Sequence, residues 1–353
     1  MQDIANDFAT PRRTMLLESD GIANSAAADN ELQLKIADDP CKVLFSASGL
    51  IARIVGTNAI SAAGPRVQHD AIKTVIETSN LATIGVLTAD GYIHHLRVLD
   101  IPAIPATENA PSLTAGSALS DILMLEKSAK IINIIALPGP QGENTAAESE
   151  NSPEFLPEIT PLAIATKQGK IKRVVPDYPA RAPFEVIKLS AGDEIIGAAN
   201  AADDSQIVLI TSDAQLLRFD AAAVRPQGRT GQGIAGIRLN EAANVIAFAA
   251  VPANDLAAQF VVTIANSAAA IPGTQPGSVK VSPLDRFPAK GRATGGVRAQ
   301  RFLRGEDQLS IAWVGQGIPR AVSASGAPID LPDIDERRDA SGTQAAGIIA
   351  AIG

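Results

Sequence analysis

The apolar positions of this 353-residue chain fall into short runs broken by a turn that recurs. Its pattern is an apolar strand, Ser or Thr, two residues, Gly, three residues and a basic side chain. Val43 to Arg53 carries the first copy, with Ser46 and Gly49, and Ile84 to His95 the second, with Thr88 and Gly91. Leu162 to Arg173 is the third, with Thr166 and Gly169, and Ile207 to Arg218 the fourth, with Thr211 and with Ala214 in place of Gly. A degenerate fifth copy runs from Val261 to Ala270 with Asn266 at the turn, and a weaker sixth from Ile311 to Arg320 with Gly317. Thr-x-x-Gly between two apolar runs predicts a β-hairpin whose turn needs one left-handed residue, supplied by Gly or Asn and, at a cost, by Ala. The turn positions 49, 91, 169, 214, 266 and 317 are separated by 42, 78, 45, 52 and 51 residues. The long interval contains residues 139–160, which are rich in Gly, Pro, Glu, Asn and Ser, carry no basic side chain and read as a mobile insertion. Removing them brings that interval to about 56 residues, so every unit has the length of a blade of several strands. The expected architecture is all-β: six blades over residues 41–332, stacked in a ring that buries their faces and limits exposed edges.

The ends of the chain break this rhythm. Residues 1–18 read as a short N-terminal helix, with Thr10-Pro11 as a helix-start pair. Residues 19–40 are polar and acidic and read as a linker, and residues 333–353 as a C-terminal tail. Aromatic residues make up 3% of the chain, so the core must be assembled from small aliphatic side chains. Cys41 is the one cysteine and histidines number three, which excludes an internal disulfide and a cysteine zinc cluster and leaves no expected metal or cofactor. His94-His95 reads as a strand pair with one side chain in and one out. No basic-then-apolar leader opens the sequence, and the Ala-rich stretch 242–272 is interrupted by Pro252, Asp255 and Gln259, so buried strands are expected in place of a membrane span. A cytoplasmic, nucleoid-associated location fits this composition.

Net charge is −8, yet it is unevenly placed: residues 161–305 hold 17 basic and 11 acidic side chains, while the rest of the chain is acidic. A basic block between acidic ends can present a local phosphate-binding surface. Two Gly-rich, Arg-bearing segments lie in this block, Arg225-Pro-Gln-Gly-Arg229-Thr-Gly-Gln-Gly233 and Lys290-Gly-Arg292-Ala-Thr-Gly-Gly296-Val-Arg298.

The repeated Thr-x-x-Gly-x-x-x-Arg unit, these two segments and the strand Gly91 to Pro102 together resemble the C-terminal β-pinwheel of type IIA DNA topoisomerase A subunits, that is, of gyrase A and topoisomerase IV. Ile4 to Thr14 is similar to the end of the helix that joins such a domain to the breakage–reunion domain. The Ala-rich composition and the form of the first and last repeats resemble the actinobacterial type. The resemblance implies a six-bladed β-pinwheel whose rim contacts phosphates and bends duplex DNA. Through N-terminal domains outside this chain it implies further partners, a second A subunit plus a topoisomerase B subunit. The candidate DNA contacts are Arg53, Lys170, Lys172, Arg173, Arg218, Arg225, Arg229, Arg238, Lys290, Arg292, Arg298 and Arg301. Gyrases carry a Gln-Arg-Arg-Gly-Gly-Lys-Gly box in the first blade. The corresponding segment here, Ser61 to His69, lacks it, which makes a topoisomerase IV-like role comparable with gyrase-like wrapping.

Catalysis is not expected of this chain alone. Tyr92 follows a turn glycine and Tyr178 lies in Pro-Asp-Tyr-Pro, neither in a breakage-domain context, and Gly231-Gln-Gly233 lacks the Lys-Ser/Thr of a P-loop. The competing reading is a generic β-propeller that binds a protein, with a small molecule at the central channel a further variant. Neither WD nor kelch signatures are present, and charges recur after the turns instead of clustering as a carboxylate or histidine group.

Overall fold

The computed structural model describes residues 37–353 apart from 127, 139–159 and 272. The N-terminal helix, most of the linker and the insertion expected from the sequence lie outside the described residues. From Asp38 onward the chain folds as one unit of six β-sheets. Each of the first five blades is built on three antiparallel strands, a hairpin and a third strand that returns to pair with the first. Blade 1 uses Pro40–Ser46, Leu50–Val55 and Ile72–Ser79; blade 2 uses Thr83–Thr88, Tyr92–Arg97 and Ile131–Ala136. Blade 3 uses Leu162–Thr166, Lys170–Val174 and Ile195–Asn200; blade 4 uses Ser205–Thr211, Gln215–Asp220 and Val245–Pro252. Blade 5 uses Gln259–Asn266, Ser278–Pro283 and Gln308–Gln316. Blade 6 is smaller: Ala321–Val322, Pro328–Ile329 and Ala351–Ile352.

The recurring turn forms as its sequence dictates. The N–H of Gly49, Gly91, Gly169 and Ala214 donates to the carbonyl of the Ser or Thr three residues earlier, at 3.0–3.1 Å. All four have positive φ, from 61° at Ala214 to 93° at Gly91. The Ser46, Thr166 and Thr211 hydroxyls accept from the N–H of the residue after the turn, at 2.9, 3.3 and 3.0 Å. At these three turns the hydroxyl thus supplies an acceptor for an N–H that the hairpin end would otherwise leave unpaired.

Three expectations need correction. Asn266 is not left-handed; the fifth hairpin loop is longer, and its positive-φ residues are Gly273 and Gly277. Ile311 to Val314 is the third strand of blade 5, not the start of a sixth repeat. The sixth turn is Ser323 to Gly326, where the Gly326 N–H donates to the Ser323 carbonyl at 2.9 Å and φ is 78°. Residues 333–353 are not a separate tail either, because Thr343–Gln344 joins blade 5 and Ala351–Ile352 joins blade 6.

The strand order within a blade is third, first, second, then a short closing strand. Third strands of neighbouring blades touch around the inside of the ring, which turns the second strands outward. Closing strands come from further along the chain, after the first hairpin of the next blade. Ser117–Ala118 closes blade 1, Phe184–Glu185 blade 2, Pro226–Gln227 with Ile234–Ala235 blade 3, Val297–Arg298 blade 4 and Thr343–Gln344 blade 5. Apolar packing follows the seams between blades: Leu87, Ile93, Leu162 and Ile195 join blades 2 and 3, and Val208, Leu216, Val261 and Leu309 join blades 4 and 5.

Candidate nucleic-acid interface

The segments that carry the closing strands, here called straps, form the outer rim. Each strap ends by donating a backbone N–H to the turn carbonyl of the blade it closes. Leu119 donates to Gly49, Val186 to Gly91, Gly236 to Gly169, Ala299 to Ala214, Ala345 to Gly277 and His69 to Gly326, at 2.8–3.1 Å. These six equivalent bonds align the straps residue by residue. Three residues before the closing residue, Gly116, Gly233, Gly296 and Gly342 pass so close to the second strand that a Cβ would lie 2.5–2.8 Å from a carbonyl oxygen. In the two Arg-bearing segments it is Gly233 and Gly296 that this close approach requires.

Neighbouring straps are also joined to each other. The N–H of Lys188, two residues past its strap's closing residue, donates to Gly231 O at 3.2 Å; Arg238 donates to Thr294 O at 3.0 Å and Arg301 to Ala340 O at 3.1 Å. All three side chains are exposed. Sequence reading included Arg238 and Arg301 but missed Lys188. The signal was positional, and it becomes visible once the closing residues are aligned.

The structure divides the candidate basic residues into two groups. The basic residue that ends the repeat braces neighbouring blades. Arg53 Nε donates to Ile101 O at 3.0 Å, Arg218 Nε to Phe287 O at 3.1 Å, and Arg173 Nη1 to Val224 O at 3.3 Å; each acceptor ends the 3-10 turn that follows the next hairpin. Arg173 is 1% exposed and also pairs with Asp203 at 2.6 Å. In blade 2 this place belongs to His95, which packs edge-on against Phe184, and burial lowers its pKa.

Lys172 is fully buried, and its Nζ donates to Val186 O, Arg229 O and Gly231 O at 2.6–2.9 Å, tying two straps together. Lys280 occupies the equivalent place in blade 5, with Nζ bonds to Ala299 O at 2.8 Å and Arg338 O at 2.6 Å. Burial pulls both lysines down to about 8. Lys172 and Arg173 cannot reach a phosphate from these positions, and the half-buried Arg53 and Arg218 are committed to carbonyls. Lys170 is half-buried and donates to Ser190 Oγ at 2.7 Å.

The second group lies on the straps of blades 3 and 4. Arg225, Arg238, Lys290, Arg298 and Arg301 are exposed, and Arg229 and Arg292 are half-buried in equivalent places. Each of the latter leans on the strap before it: Arg292 Nη1 donates to Ala235 O at 2.5 Å, and Arg229 Nη1 to Glu185 O at 3.4 Å, with its guanidinium 5.7 Å from the Phe184 ring centre. One nitrogen is thereby anchored while the rest of a planar fork stays available for an anion.

The strap of blade 6, Gly56 to Ala71, closes the ring on different chemistry. Asp70, whose side chain is fully buried, accepts from Arg66 Nε at 2.7 Å and Nη2 at 3.1 Å, and from Arg320 Nη1 at 2.7 Å. Arg66 Nη2 also donates to Ala321 O at 2.8 Å. These arginines hold the Asp70 carboxyl below its ordinary range against the opposing effect of burial, which is the largest single influence on it. Among the described residues no group of three or more His, Cys, Asp or Glu is arranged to hold a metal, and no helix is long and apolar enough to cross a membrane.

Residues 205–252 and 273–310, which fall in blades 4 and 5, match the family model described as DNA gyrase C-terminal domain, beta-propeller. The gyrase A protein of Deinococcus deserti is 25% identical over 252 residues, covering 69% of this chain and 27% of the relative. That of Mycobacterium leprae is 22% identical over 323 residues, covering 88% of this chain and 22% of the relative. The chain thus spans about a quarter of the length of the gyrase A proteins it matches. In fold it is similar to the C-terminal domain of DNA topoisomerase IV, with a TM-score of 0.64 at 18% identity over 90% of this chain and 94% of that one. It is also similar to the DNA gyrase A C-terminal domain, with a TM-score of 0.55 at 14% identity over 89% and 99%.

Proposed function

We propose that this chain, a β-propeller domain of the family that forms the C-terminal part of DNA gyrase A and topoisomerase IV proteins, binds duplex DNA on its strap rim and guides it without cutting it. The observation that carries this reading is the acid-free basic surface of two adjacent straps. Residues 225–238 contain Arg225, Arg229 and Arg238, and residues 288–301 contain Lys290, Arg292, Arg298 and Arg301. Such a surface neutralises phosphates and releases counterions, contacts that carry no base-sequence information. The strap backbone, held at fixed height by its bonds to turn carbonyls, sets these side chains on one curved edge, and bending DNA along it costs on the order of 1–6 kcal/mol for a site of 20–30 bp.

No strand cleavage is proposed for this chain. Tyr178 is stacked on Phe184, and burial raises its hydroxyl pKa. In a complete protein of this family, breakage and reunion would belong to other domains, as would contacts with the second A subunit or with the ATP-using B subunit. The segment in the place of the gyrase box is spent on the Asp70 clasp, which favours a topoisomerase IV-like guiding role over strong wrapping. The test is a titration of the chain with two unrelated linear duplexes at three salt concentrations. Equal affinities that fall steeply with salt support the reading; affinity for neither duplex, with a protein partner retained instead, overturns it in favour of a protein-binding propeller.

A further inference from the structure

We infer that DNA touches this ring along a short arc only, the straps of blades 2, 3 and 4, and that the acidic strap of blade 5 ends the arc. This rests on the DNA-binding reading above and adds its boundaries. The aligned straps differ in charge: residues 225–238 and 288–301 are purely basic, whereas the blade 2 strap, 175–188, balances Arg181 and Lys188 against Asp177 and Glu185 and joins the arc through Lys188. Two residues past the closing residue stand Lys188, Arg238 and Arg301 in blades 2, 3 and 4, but Asp121, Gly347 and Ala71 in blades 1, 5 and 6. The blade 5 strap, 333–347, sets Asp333, Asp335, Glu336 and Asp339 against Arg337 and Arg338. Its acids reach back onto the end of the basic arc, since Asp339 lies 3.9 Å from Arg301 and Glu336 pairs with Arg286. Arg337 is already bound to Asp335 at 3.0 Å.

Past Arg301, a duplex following the rim would bring its phosphates, one charge per about 1.7 Å of axis, against a net negative strap. At the other end, the blade 1 strap, 102–121, has Glu108 and Asp121 and no basic residue. The blade 6 strap has its single arginine, Arg66, locked on Asp70. The chain therefore holds DNA over part of its circumference and lets it leave, where a uniformly basic rim would carry it round.

The test uses the whole chain in two altered forms, Asp333→Asn/Asp339→Asn and Lys188→Glu, with a duplex of 20–30 bp and a much longer one. Neither Asp333 nor Asp339 is buried, and thermal melting checks that the fold is kept. Neutralising the two acids should tighten binding about twofold to fivefold at low salt, steepen the salt dependence and create a preference for the longer duplex that the unaltered chain lacks. Lys188→Glu should weaken binding to both duplexes. Unchanged affinity in the neutralised form, or a strong preference for long duplexes in the unaltered chain, overturns the arc and leaves DNA binding standing. Absence of binding by the unaltered chain overturns the DNA-binding reading itself.

Discussion

Lys172 and Lys280 place ammonium groups beneath the straps where water does not reach, and each is held by carbonyl oxygens alone. A carbonyl ring of this kind recovers part of the desolvation cost and leaves the charged form disfavoured, so both lysines titrate near 8 and not near 10.5. Between pH 8 and 10.5 the unfolded chain then carries more protons than the folded one, so these groups make stability rise with pH across that window; below it their buried charge is a standing cost. Lys172→Met leaves three strap carbonyls without a donor. It should lower stability at pH 7 by roughly 1–3 kcal/mol. Because the variant also loses its share of the alkaline rise, the gap to the unaltered chain should widen towards pH 10. Denaturant melts at pH 7, 8.5 and 10 measure this, and a gap that stays constant or narrows would contradict the placement of Lys172. A residue list could not separate Lys172 from Arg229: both are basic, both lie in the basic block, and the difference is which carbonyls surround the side chain.

At the level of elements, what the sequence revealed most clearly was the hairpin. A Ser or Thr followed three residues later by Gly is a local device, complete within seven residues, and it forms as expected at three turns, and at a fourth with Ala214 in the glycine's place. The cost expected at Ala214 is visible as a φ of 61°. Ala214→Gly should relieve left-handed strain worth about 1–2 kcal/mol, partly offset by the added freedom of the unfolded chain, about 0.4–1 kcal/mol. Thermal melting should show a small net gain. Gly296→Ala should act in the opposite sense, because its Cβ would meet Leu216 O at 2.5 Å. A loss of roughly 1–3 kcal/mol is expected there, and an unchanged melting temperature would mean that the strap does not approach the strand as described. The straps themselves were not legible in advance. Each pairs with a strand far back in the chain, and its glycines serve a close approach that no local pattern announces. The sixth repeat was misplaced for a related reason: Gly317 is a positive-φ glycine after an apolar run, but the run is the long third strand of blade 5, and the true turn at Ser323 follows a strand of two residues.

For the whole molecule, the number of blades followed from the repeat length, whereas the surface proposed for DNA did not follow from the repeat. The basic residue that marks each copy at Arg53, Arg173 and Arg218 holds blades together; the surface proposed to meet phosphate is on the connecting straps, those of blades 3 and 4 above all. That separation makes DNA binding on the straps testable with two residues of equivalent position, Arg229 and Arg292. Each keeps one nitrogen on a neighbouring carbonyl, so thermal melting must accompany the binding data. The most direct measurement is the salt dependence of duplex binding by the chain and by Arg229→Ala/Arg292→Ala. Binding to unrelated sequences should weaken by similar factors, with a salt slope shallower by about 0.9 for each contact removed. A folded double variant with unchanged affinity and slope would contradict DNA binding on these straps, and with Lys172 and Arg173 buried and Arg53 and Arg218 bound to carbonyls, the repeat's own basic residues could not stand in for these contacts.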